Sequence, residues 1–591
     1  MKQLAAIIVC LIVLLPGMPA MAASDSGISL AKALQWQFPE PRHEVARADM
    51  QYAEGRKQIV GPERSNIVKL SGPATLWKSN TEYILEADVV ADETAFTVKG
   101  SHITLNLNGH TVTYNNVSGK GCGVIQNDWE NRKDFVLING AIVQGKGGGA
   151  GNAYGRGPNP VFMLAVEPIE LAGLKITYHG DNLAAIFVYR SHAEDDIHHN
   201  EIIDDGNVVT DRHSGVPVIR IGGAGATIRH NVIRGARQIG IRSGDRPTNA
   251  KIHHNEVYID STVTNSSGIT AAGVIHHNKV VGRGVHPIGI WPWAGTKVYS
   301  NYVDVQNTRP GAEFGSTGAA CVRFGWGGTF NVDIEDNLFI VRAEKNLFKN
   351  TAVVNNNHDS WGRALFVGLS GGKKALIKNN IIIGLNKGDG AKAAAVGVVF
   401  NNRSPGLVFE ENLIASNWGN LLLSDLYGWS KAYPLFKDNV IAKLEGGAGY
   451  HTIRGTYNQF SSTARLLNNT YIGGAAKDDV VMDTHQNAIQ EIAYCRSIVM
   501  KSSASAEGGG EYVADVVDPL GNAQWSVAGE SGKDISIIIP NSLYTNREGK
   551  ELQGKMEKRL PDAWSLRVTY NDKVFEIPLP AEEVNEVSLP F

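Results

Sequence analysis

The chain has 591 residues, 43% of them hydrophobic and 19% charged, which is enough for several domains or one long repeat array. A formal charge of −3 excludes a generally basic surface of the kind that grips nucleic acid. Four cysteines in so long a chain exclude a disulfide-stapled fold.

The first residues read as a targeting segment. Lys2, the apolar run "LAAIIVCLIVLL" and the small residues Ala20 and Ala22 have the layout of a secretory signal peptide over 1–22. The run is short for a membrane span, so the expectation is an exported chain, periplasmic or secreted, and not an integral membrane protein. Removing the segment leaves Cys122, Cys321 and Cys495, with at most one disulfide among them. Residues 23–69 lack repeats. Within them "ISLAKALQW" (28–36) spaces Ile28, Leu30, Ala31 and Leu34 as a short helix would, and it is expected to cap the first coil of a downstream repeat array.

From about residue 70 to 505 the chain repeats itself. An apolar residue, two polar ones, an Asn, a variable residue and another apolar one recur around Asn200, Asn231, Asn255, Asn278, Asn301, Asn337, Asn380, Asn412, Asn439 and Asn469. The shortest spacing is 23 residues, and longer ones are read as loop insertions. Between these points lie short β-branched runs such as "VPVIRIGG", "IGIRSGD" and "IGIWPWAG", bounded by Gly, Asn and Asp. Each repeat has room for three strands and three turns, and only stacking buries its apolar side. The unit "I-x-H-N-x-V" and the phrase "ITLNLNGHTVTY" (103–114) resemble the right-handed parallel β-helix of the pectate-lyase-like superfamily. That resemblance implies the fold but no particular reaction, because the fold hosts lyases, hydrolases, epimerases and adhesins.

Four repeats carry paired histidines, as in "IHHNEV" (252–257). The slot before the repeated Asn holds His199, His230, His254 and His277, but elsewhere Ser300, Asp336, Asn379, Glu411, Asp438 and Asn468. Such tolerance describes a polar turn position. Neighbouring strand residues also face opposite ways, so the histidines are read as scaffold and no metal site is assigned. The Asn itself is expected to form an internal ladder. The glycine run 145–157 lacks the ending of a phosphate loop and is read as a flexible turn, and 341–363 as a loop insertion. Residues 511–591 alternate as strands and are expected to form a small β-sandwich that covers the last coil or binds carbohydrate. The fold class is therefore all-β, a right-handed parallel β-helix solenoid with this sandwich after it.

Aligning the strand after the longer loops places Ile219, Ile241, Ile269, Ile290 and Val322 in one inward row. The outward row is then Arg220, Arg242, Thr270, Trp291 and Arg323, extended one coil earlier by Val188 and Tyr189. Small residues at 240, 268, 289 and 321 suggest a groove floor. Loops add His179, Asp204, Asp205, Asp211, Arg212, His213, Arg237, Arg283, His286, Arg309 and Glu313 on one side, and Trp293, Trp326, Asp245 and Arg246 on the other. Arginine forks match carboxylates and tryptophan stacks on sugar rings, so the expected partner is an acidic, uronate-containing polysaccharide.

Two catalytic schemes fit. In β-elimination, Arg242, His213 or Tyr189 acts as base and Arg220 holds a carboxylate, with Arg323, Trp291, Trp293, His286 and Asp245 binding substrate. Calcium is the one candidate cofactor. A C5-epimerase would share the first step. In glycoside hydrolysis, the acid and base come from Asp204, Asp205, Asp211 and Asp245. The superfamily's "DPHD", "GHG" and "RIK" motifs are missing. A non-catalytic polysaccharide-binding or structural solenoid is the alternative from a different class.

Overall fold

The computed structural model describes residues 27–589 outside 207–214, 224, 244–248, 262, 264–265, 286, 309–318, 325–330, 344–361, 368–374, 388–392, 400–406, 425–433, 448, 457–461, 484–489, 503–509, 520, 522, 546–556, 560–563 and 580–583, with some strand residues described by backbone alone. Three stacks of parallel strands run the length of a β-helix. Among the described residues sheet A holds fifteen strands, from Ala74–Leu76 to Val480–Asp483. Sheet B runs up to the Asn turn, as in Ala250–His253, and sheet C follows it, as in Glu256–Ser261; the two are joined where Arg132–Gln144 and Val166–Tyr178 run through both. One continuous apolar core fills the interior, from Leu76 to Ile492.

The turn between sheets B and C explains the repeat. Every residue in the slot before the Asn has a left-handed backbone, with φ between 51° and 56° from His199 to Asn468. Polar residues such as Asn, Asp and His accept that conformation more readily than bulky ones, which accounts for the slot's composition. The bend turns each Asn into the core, where it is largely buried. Each amide Nδ2 then donates to the Oδ1 of the next at 2.9–3.0 Å, without a break from Asn200 to Asn469. A second bond from each Nδ2 reaches a carbonyl one coil back, such as Ile228 O from Asn255 at 2.8 Å.

The same bend brings neighbouring histidines together, because strand alternation stops there. The Nδ1 atoms of His198 and His199 lie 2.7 Å apart, and the pairs His253–His254 and His276–His277 are each at 2.9 Å. Along the axis, His199, His230, His254 and His277 stack at ring separations of 4.8–5.0 Å, the strand spacing of a parallel sheet.

The expectation that the N-terminal helix caps the first coil is corrected. The helix Leu30–Leu34, with Ser29 as its N-cap, lies far along the solenoid, and Ile28 bridges to Leu444. It packs on the outer face of sheet C, against Leu338, Ile340, Ile381, Ile383 and Leu413. That face is apolar because these strands are buried on both sides, unlike the alternating Glu256–Ser261. From there the chain runs back along the left-handed slots as an external strap. Asn379 donates to Glu40 O, His43 N donates to Asp336 Oδ2, and His43 stacks on Tyr299 at 3.9 Å. Further on, Ile59 exchanges two bonds with Asn139, and Arg64 grips Asp134 with both guanidinium ends before the first strand, Asn66–Leu70.

At the other end, the strand Gln490–Lys501 is shared. It closes the parallel stack beside Ser462–Leu467 and pairs antiparallel with Ile535–Thr545. A four-stranded antiparallel sheet faces this pair across a core of Met500, Trp525, Ile539 and Leu566. Among the described residues the cysteines are free and no helix is long and apolar enough to cross a membrane.

The strap meets His199 and His277 through Glu54 and Glu44, and beside this row of histidines stand His253 and His276, which burial keeps neutral. Burial is the main cause that lowers His253 to about 4 and His276 to about 3, with neighbouring histidines adding to it. An unfolded His takes its proton near pH 6.5. Between that pH and the folded values the unfolded chain binds more protons, so this contribution to stability is lost as the pH falls. Burial raises Asp195 to about 7 and Asp204 and Asp336 to about 6, and these carboxyls act in the opposite sense. The protection of the amides over 40–61, taken relative to intrinsic exchange at each pH, is therefore expected to fall as pH drops from 6.5 to 4, while sheet A stays protected. Unchanged protection of the strap would contradict this.

Candidate functional site on sheet A

Pairing along sheet A gives the anchor row as aligned: Ile219 with Ile241, Ile241 with Ile269, Ile269 with Ile290 and Ile290 with Val322. Arg220, Arg242, Thr270, Trp291 and Arg323 therefore stand in one outward column. One coil earlier the alignment slips by two residues. Ile186 pairs with Ile219 and Phe187 with Arg220, so Phe187 occupies the place expected for Tyr189. Phe162 precedes Phe187 in the same column, and the two rings stack at 5.4 Å.

The small residues do not form a groove floor. A Cβ at Gly240, Gly268 or Gly289 would meet Val257, Val280 or Val303 of sheet C at 2.1–2.4 Å, and Cys321 lies in the same core. Two successive residues face inward here, as with Val218 and Ile219, because the chain is still bending as it joins the strand. Small side chains let the corner close.

The floor is instead aromatic and basic. Arg220 lies over the rings of Phe187 and Tyr154 at 5.5 and 5.6 Å, and Arg156 lies over Phe162 at 5.2 Å. Farther along, Arg323 lies over Trp291 at 4.8 Å and is almost fully buried. Arg242 is half-buried between Arg220 and Thr270. Thr270 is buried and bonds Ser267 Oγ at 2.7 Å, so it offers little to a ligand. Tyr189 is exposed and meets the exposed Trp129 edge-on at 5.7 Å, while Arg190 lies over Trp129 at 5.1 Å. Tyr154, on the glycine-rich turn, is also half exposed. Trp129, Tyr154, Arg156, Phe162, Phe187 and Arg190 were missed from sequence. The signal for Phe187 was the alternative anchor Ile186 in "IFVYR".

The remaining predicted residues divide. Asp204 and Asp205 are not presented as a pair. The Asp204 carboxylate accepts N–H groups from Gly206 and Arg237 while burial raises it to about 6, and Asp205 is exposed. Arg237 and Arg283 bind Asp260 and Asp304 at 3.1 Å. His179 is exposed, with its backbone N–H on Gln144. Trp293 is half-buried beyond the strand that carries Trp291. Asp211, Arg212, His213, Asp245, Arg246, His286, Arg309, Glu313 and Trp326 lie outside the described residues. In comparisons with known proteins, no family model, curated protein or solved structure matches the chain.

Proposed function

We propose that the chain is an exported member of the pectate-lyase-like superfamily that binds an acidic, uronate-containing polysaccharide along sheet A and cleaves it by β-elimination. The observation that carries this reading is the column Phe162, Phe187, Arg220, Arg242, Thr270, Trp291, Arg323, in which buried Phe162, Phe187 and Arg323 support the partly exposed Arg220, Arg242 and Trp291. On coils one strand spacing apart it presents two rings, two guanidinium forks, Thr270, a third ring and a third fork. Uronate chains offer both complements, with sugar faces for the rings and carboxylates for the forks. The exposed Trp129, Tyr154 and Tyr189 extend the aromatic lining to both sides of the column.

In this scheme Arg220 neutralises the carboxylate and makes the C5 proton more acidic. A base removes that proton, the C4–O bond breaks, and a C4=C5 double bond forms as the leaving oxygen is protonated. Arg242 faces the column and Tyr189 stands beside it as candidate bases. Asp204, turned to backbone N–H groups, favours elimination over a two-carboxylate hydrolysis. The test follows ultraviolet absorbance and reducing ends while the chain acts on a panel of polyuronates, with and without calcium. Both signals are expected to rise together. Reducing ends without absorbance would replace the lyase reading with hydrolysis.

A further inference from the structure

We propose that Glu54, His199 and His230 hold a divalent cation of the zinc class, which pins the strap to the solenoid. This site stands independently of the polysaccharide reading. A count of protons points to it first. His198 and His199 touch through their Nδ1 atoms at 2.7 Å, and each Nε2 faces a carboxylate: His198 that of Glu170 at 3.1 Å, His199 that of Glu54 at 3.2 Å. Three N–H groups are needed for these three contacts, and two neutral imidazoles supply two. When His199 donates through Nδ1 and His198 through Nε2 to Glu170, the bare Nε2 of His199 points at a carboxylate oxygen. A cation belongs between two such lone pairs. Among the described residues the pairs 253–254 and 276–277 face no such conflict, because neither has a carboxylate at both ends.

A second observation marks the same point. His230 Nδ1 is buried without a hydrogen-bond partner, and it lies 4.0 Å from Glu54 Oε1. The donor atoms of Glu54, His199 and His230 all lie within 4.8 Å of one another. Zinc at about 2.0–2.1 Å from each ligand needs donors roughly 3.4 Å apart, so the half-exposed Glu54 side chain must draw in and the rings of His199 and His230, stacked at 4.8 Å, must tilt toward the ion. Two histidines and a carboxylate are a zinc-type set, and the His198–Glu170 link orients His199 as outer-shell partners of metal-bound histidines do. Lys57 Nζ holds Glu54 Oε2 at 2.8 Å and competes with the ion for that oxygen. The triad His43, Glu335 and Asp336 differs, because His43 N already donates to Asp336 Oδ2 at 2.8 Å and the His43 ring is stacked on Tyr299.

The test is calorimetric titration of zinc chloride into the chelator-treated full chain at pH 7.5, with cobalt(II) absorption as a second reading. One equivalent is expected to bind, with tetrahedral cobalt bands and slower proteolysis of residues 40–61. Glu54→Gln, on the exposed strap, is expected to weaken binding at least tenfold and remove the bands, and Lys57→Met to tighten it. His230→Gln provides the second variant and should act as Glu54→Gln does. Absence of one-equivalent binding, or binding of equal strength in Glu54→Gln and His230→Gln to that of the native chain, overturns the proposal.

Discussion

Asn301→Ala is expected to cost about 3–5 kcal/mol of stability, the sum of several buried groups left without partners at about 1–3 kcal/mol each. The Asn301 Oδ1 accepts both the backbone N–H and the Nδ2 of Asn278 at 3.0 Å. Its Nδ2 serves the carbonyls of Ile275 and Tyr299 and the Oδ1 of Asn337 at 2.9–3.0 Å. Alanine removes all of these bonds at a fully buried position, where water cannot replace them. Since each coil is stabilised through its neighbours, the lesion weakens both halves of the solenoid at once. Asn469→Ala provides the comparison. That residue ends the ladder and is partly exposed, so water can replace its bonds from Asn439 N and Nδ2 and to Phe436 O, and the same change is expected to cost about 1 kcal/mol. Denaturant midpoints of the two variants check the difference. Equal losses would mean that the ladder contributes no more inside the core than at its end.

The second large effect concerns the groove. Replacing Arg220 and Arg242 together by Ala is expected to weaken polyuronate binding on the order of 100-fold, about 2.7 kcal/mol. Each charge-assisted bond to a carboxylate contributes about 1.5–3 kcal/mol, and partial exposure reduces that figure. The Arg220→Lys, Arg242→Lys variant keeps the charge but loses the planar forks, and it should fall between the two. Because Arg220 also packs over Phe187 and Tyr154, circular dichroism of each variant separates lost binding from lost folding. Affinity for a defined oligouronate, measured at two salt concentrations, is the reading. A double alanine variant that binds as the native chain does would remove these arginines from the site.

The repeat made most of the scaffold legible. Ten Asn positions set the phase of the coils from Asn200 to Asn469, and the phase set the inward row that Ile219, Ile241, Ile269, Ile290 and Val322 occupy. The row failed where two apolar residues of equal parity compete. Ile186 and Val188 both point inward, and the strand is irregular after Val188, so nothing local says which one meets Ile219. The groove floor failed for a different reason. Alternation assumes a straight strand, and at Gly240, Gly268 and Gly289 the chain is still turning the corner. The helix Leu30–Leu34 was visible from its spacing, but spacing does not say what a helix docks on. The continuous apolar runs Leu338–Val341 and Ile381–Ile383 carried that information, since a strand with one wet face would alternate. The paired histidines were placed correctly at turns, yet a left-handed residue brings neighbours together, which the strand rule forbids.

The most direct measurement is a titration of the native chain with a polyuronate and with the same polymer after reduction of its carboxylates to alcohols. The groove account predicts that the acidic polymer binds at least tenfold more tightly and that the difference narrows with salt. Equal affinity for the two polymers, or no binding of either, would contradict it.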